Sequence, residues 1–69
     1  MRGKIKGYLD MIGETQAYLA DFLDISETTL SFKINGTTDF KRSEMIAITN
    51  LFKEKLPNMQ ITMDEIFLK

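Results

Sequence analysis

Apolar residues recur along this chain at helical rather than strand spacing, and each recurrence is bracketed by residues that start or stop helices. Ile5, Leu9 and Ile12 stand at i, i+4 and i+7, one stripe over residues 3 to 12, and Gly13 follows where a left-handed residue ends a helix. Thr15 can cap a second helix over Gln16 to Leu23, with Leu19, Ala20, Phe22 and Leu23 expected inward, and Asp24 ends it. Ser26 is a good N-cap, and Ile25 before it can staple onto Leu30 in a third helix that Asn35-Gly36 closes. Residues 37 to 41 form a polar loop whose one apolar member, Phe40, is expected to plug between helices. From Arg42 to about Lys55, the residues Met45, Ile46, Ile48, Thr49, Leu51 and Phe52 repeat at helical spacing, which makes a fourth helix. Pro57-Asn58 breaks the chain, and Thr62 to Glu65 reads as a capping box, stapled by Ile61 and Ile66, that opens a short fifth helix. Valine is absent, and no repeat or linker interrupts the pattern, so the expected fold is all-α: one compact five-helix bundle over residues 1–69.

Composition narrows the chemistry. The 69 residues include no Cys and no His, which removes disulfides and every thiolate or imidazole metal site, so packing alone must hold the fold. The same two absences remove the Cys nucleophile and the commonest general base. The carboxylate pairs Asp64-Glu65 and Asp21-Asp24 read as caps and solvated helix faces, and a pocket of roughly 300 Å³ is not expected in so small a bundle. Neither enzyme activity nor a cofactor, metal or small-molecule ligand is therefore expected. No apolar run approaches the roughly 20 residues a membrane span needs, so neither a span nor a signal peptide is expected, and the lack of Cys suits a reducing cytoplasm. Nine basic against ten acidic residues give a net charge of −1, which names no partner.

The informative stretch is Thr15 to Gly36, two helices joined by a tight turn with the buried spacing of a helix-turn-helix. Ala20 is small where the two axes must cross closely, and Asp24 occupies a turn position that demands positive φ. Counting about 100° per residue from a core direction between Leu30 and Ile34 sets Thr28, Phe32 and Asn35 on the opposite face, with Ser31 flanking and Glu27 at the helix start. An outward Phe beside hydroxyls and an amide calls for a partner. The DNA major groove, about 12 Å wide, accepts such a helix: Thr28 and Ser31 can hydrogen-bond base edges, Glu27 can accept from a cytosine amino group, and Phe32 can pack on thymine methyls. Each also has a plainer reading, as solvated helix residues for Thr28 and Ser31, dipole complement for Glu27 and core packing for Phe32. Lys33, Lys41 and Arg42 cluster just after this face, with Asp39 and Glu44 as acidic exceptions, and the N-termini of the second and fourth helices beside Gln16 and Arg42 add anion-binding N–H groups.

The run TQAYLADFLDISETTLSFKING resembles the helix-turn-helix of the XRE family, the lambda-repressor-like domains of phage repressors, Cro proteins and their bacterial relatives. Thr15, Gln16, Leu19, Ala20, Leu23, Ile25, Ser26, Thr29, Leu30, Asn35 and Gly36 carry the likeness, with one helix before the motif and two after it. The resemblance implies a sequence-specific regulator that binds a double-stranded DNA operator, phage or prophage derived, acting in the bacterial cytoplasm or nucleoid. It implies base reading by Glu27, Thr28, Ser31 and Phe32, and phosphate contacts from Gln16, Lys33, Asn35, Thr37, Thr38, Lys41 and Arg42. It further implies a homodimer, at least on DNA. Asp24 stands for the common turn Gly, Glu14 for a frequent apolar residue, and Lys33-Ile34 for a frequent apolar-then-Glu order. A second reading, a protein-interaction module of the same fold, would use Phe32, Met59, Met63 and Phe67 as an adaptable apolar surface.

Overall fold

The computed structural model describes residues 2–68. Among them the chain forms α1 (Arg2–Ile12), α2 (Gln16–Leu23), α3 (Glu27–Ile34), α4 (Arg42–Lys55) and α5 (Met63–Phe67), and no strand. The expected all-α, five-helix architecture is what forms.

Local signals set the boundaries. Thr15 Oγ1 accepts from the Tyr18 N–H at 3.2 Å, Ser26 Oγ from Thr29 at 3.0 Å, and Thr62 Oγ1 from Glu65 at 3.1 Å, so each hydroxyl satisfies an N–H that its helix leaves open. At the other ends, α1, α2 and α3 stop in the same way. The N–H of Glu14, Ile25 and Thr37 returns to the carbonyl of Leu9, Ala20 and Phe32, while Gly13, Asp24 and Gly36 bond to Asp10, Asp21 and Lys33. Such paired closure needs a left-handed residue at its centre, and those three have φ of 72°, 59° and 85°. Glycine takes that conformation freely; Asp24 takes it at a cost of about 1 kcal/mol.

The core joins Ile5, Tyr8 and Leu9 of α1, Leu19 and Ala20 of α2, Leu30 and Ile34 of α3, Ile48, Leu51 and Phe52 of α4, and Ile61 and Ile66 at α5. Phe52 is fully buried against the Tyr8 ring, 5.2 Å between centroids, and the Tyr8 hydroxyl reaches out to donate to Glu65 Oε1 at 2.8 Å, tying α1 to α5. Burial, the Glu65 hydrogen bond and its charge all hold the Tyr8 phenol above its ordinary pKa of 10.0. Thr49, the polar member of the inward α4 face, donates to the Met45 carbonyl at 2.8 Å and so pays no unsatisfied-group penalty. Phe40 plugs as expected, half-buried and edge-on to Phe67 at 5.2 Å.

The inward assignment of Phe22 is corrected, and one member of the apolar α4 repeat, Ile46, lies outside the core. Phe22 is 46% exposed and Ile46 is 42% exposed. Leu19, Ala20 and Leu23 fix the inward direction of α2, and Phe22 lies about 110° away from it; Ile46 lies about 165° from the direction set by Ile48, Leu51 and Phe52. Each is apolar but off the stripe. Tyr8, which the Ile5, Leu9, Ile12 pattern passes over, is core instead, while Ile12 is half-buried.

Candidate nucleic-acid interface

The turn between α2 and α3 determines what α3 shows to solvent. Asp24 bends the chain, Ile25 packs partly into the core, and Ser26 caps α3. Leu30 (0% exposed) and Ile34 (2%) then anchor α3 by one side, while Glu27, Thr28, Phe32 (49%) and Asn35 are exposed and Ser31 is half-buried. The core-packing reading of Phe32 therefore does not hold. Asn35 Nδ2 lies 3.4 Å from Ser31 Oγ, linking two members of the outward set. Thr29, on the helix edge, is engaged with the cap, since the Ser26 hydroxyl donates to its Oγ1 at 2.9 Å.

Lys33 is the main correction. It was expected to meet phosphate, yet it is 8% exposed, and its ammonium lies 3.1 Å from Glu44 Oε1 and donates to the Asp39 carbonyl at 3.1 Å. Its Nζ also stands 6.0 Å from the centre of the Phe40 ring. Helical counting puts Lys33 and Ser31 at equal offsets, about 80° to either side of the inward direction. What separates them is the neighbour: the start of α4 and Phe40 cover the Lys33 flank. Glu44 Oε1 also accepts the Lys41 N–H at 2.8 Å, capping α4. Burial alone would raise the Glu44 carboxyl, but the Lys41 N–H, the Lys33 hydrogen bond and the charges of Lys33 and Lys41 outweigh it and hold its pKa below the ordinary 4.5. Glu44 thus stops being an acidic exception at the surface, because its charge is cancelled inside.

The remaining expected phosphate ligands divide. Lys41 and Arg42 are exposed, and neither enters an ion pair among the described residues. Thr37 and Thr38 are exposed, but both backbone N–H groups go to the Phe32 carbonyl, at 2.9 and 3.3 Å, which leaves their hydroxyls for any ligand. Gln16 is half-buried at the start of α2, in an open groove of about 320 Å³ that Lys6, Asp10, Glu14 and Thr15 also line. Two carboxylates beside that N-terminus oppose an anion there. No group of three or more acidic side chains suited to a metal forms among the described residues.

The apolar set of the second reading is split as well. Met59 is 39% exposed, whereas Phe67 packs on Phe40. Among the described residues, no helix is long and apolar enough to cross a membrane. No family model, curated protein or solved structure matches this chain.

Proposed function

We propose that this chain is a sequence-specific double-stranded DNA-binding regulator of transcription, a lambda-repressor-like domain of phage or prophage type whose α2 and α3 form the helix-turn-helix. α3 enters the major groove with Thr28 and Phe32 toward base edges, and Glu27 and Ser31 beside them. Lys41 and Arg42 neutralise phosphates next to that groove, helped by the Thr37 and Thr38 hydroxyls and Asn35. Regulation follows from occupying an operator in the bacterial cytoplasm. Two copies on a symmetric operator set their α3 helices about 34 Å apart, one turn of DNA.

One observation carries this reading: Phe32 is 49% exposed on the side of α3 opposite the fully buried Leu30. On the same face as the exposed Thr28 and Asn35, that ring offers a partner apolar contact beside hydrogen-bonding groups. The test is titration with random duplex at low salt. Weak binding that falls steeply with salt is expected, and Lys41→Ala or Arg42→Ala should weaken all sequences alike, each lowering the salt slope by about one. Complete silence at low salt contradicts the reading. It would favour the protein-interaction module instead, for which the exposed Phe32 and Met59 are the supporting observation.

A further inference from the structure

A buried lysine is an expensive way to fill space. An apolar side chain of similar size at the Lys33 site would fill it without desolvating a charge, and replacing buried ion pairs by packed apolar residues is often neutral or stabilising. Packing therefore does not account for this residue, and directional bonding does. The ammonium has three donors and no acceptor, and here it reaches the Glu44 carboxylate and the Asp39 carbonyl, each at 3.1 Å. Those partners belong to α4 and to the loop after α3. The same Glu44 oxygen holds the Lys41 N–H at 2.8 Å. Asp39 and Lys41, on either side of the half-buried Phe40, are thus tied to one centre, while Thr37, Thr38, Asp39 and Lys41 are themselves exposed.

We infer that Lys33 is a positioning residue for DNA binding: its ammonium latches the 37–41 loop to both α3 and α4, holding Lys41 and Arg42 at a fixed offset from the outward face of α3. This rests on the DNA-binding reading above. The outward face and the phosphate-facing cations sit on different elements, so their spacing must be set by something that touches both. Lys33 belongs to α3 and bonds to the loop and to α4, which start and carry those cations. Without the latch, the loop keeps Phe40 as its apolar plug but loses the bond that fixes Asp39. Lys41 and Arg42 then sample several positions, and fewer phosphates are met at once.

The decisive variant is Lys33→Met with Glu44→Gln. Methionine fills the aliphatic path, and the glutamine oxygen can accept the Lys41 N–H whenever the loop is closed, so no charge is left buried and what is lost is the bond that keeps the loop closed. The expected outcome is a folded protein with a melting temperature near the parent's, whose random-duplex affinity at low salt falls about 3- to 10-fold and whose salt slope falls by about one. The order of preference among duplexes is unchanged, and the Lys41 amide exchanges with solvent at least tenfold faster relative to the core amides. Lys33→Arg, which keeps a positive charge and several donors at the site, should restore slope and exchange toward the parent. A folded double variant with parental slope and parental exchange overturns the latch. Should the double variant not fold, the parent decides: the Lys41 amide must open only with the core, as slowly as Phe52, and fast local opening overturns the inference. A parent that binds no duplex sinks the DNA reading, and the exchange measurement still reports separately whether the latch holds the loop.

Discussion

The two sides of α3 are built on opposite terms. On one side Leu30, Lys33 and Ile34 are closed over, and even the charge among them is paired; on the other Thr28 and Phe32 are exposed to solvent. The closed side holds the fold, so changing it should cost stability. The open side contributes little to the fold, so changing it should cost recognition and little else.

Breaking the closed side gives the largest expected effects. Lys33→Ala takes from the buried Glu44 its ion-pair partner at 3.1 Å and should remove about 3 to 5 kcal/mol. A fold of this size holds only about 3 to 5 kcal/mol in total, so circular dichroism at 25 °C should show a largely unfolded chain. Leu30→Ala should remove about 2 to 5 kcal/mol by lost burial and the cavity left behind. A Leu30→Ala protein that melts like the parent would contradict the assignment of the closed side.

Acid titration probes the same side without a mutation. The Glu44 pKa is lower in the folded state than its ordinary 4.5, so its contribution is fully present above that value and is lost as pH falls through the folded-state pKa. Melting temperatures should therefore be level with respect to this group above about pH 5 and decline below it, and Glu44→Gln should flatten that decline. An unchanged acid profile in Glu44→Gln would place the acid sensitivity elsewhere.

Asp24→Gly sharpens the comparison from outside it. The turn keeps its left-handed residue and its two hydrogen bonds, and the steric cost of the side chain at φ 59° goes. A gain of about 1 kcal/mol in denaturant melts is expected, with duplex preference unchanged because neither side of α3 is touched.

The elements were legible in the sequence because caps and stops are local. Thr15, Ser26, Thr62, Gly13 and Gly36 act on bonds within a few residues of themselves, and Asp24 could be assigned positive φ from its place in the turn alone. The outward set of α3 was legible for a similar reason, since Leu30 and Ile34 fix the helix's rotation. The flanks were not. Lys33 and Ser31 have equal angular offsets and different surroundings, and only the packing of α4 and Phe40 distinguishes them. Phe22 is apolar but lies off its helix's inward angle, as Ile46 does, and Tyr8 is core beside a stripe written in aliphatic residues that does not point to it.

The central claim concerns the open side, and selection of bound duplexes from a random pool tests it most directly, with the parent and Phe32→Ala run in parallel. Phe32→Ala should melt within about 1 kcal/mol of the parent, because the ring is half in solvent already. The parent should recover a two-fold symmetric site with half-sites about 34 Å apart, and the variant should lose discrimination at one position in each half, by about 1 to 3 kcal/mol. Recovery of the same site with the same affinity by both proteins, or of no preferred sequence by the parent, would contradict the claim that α3 reads DNA through Phe32.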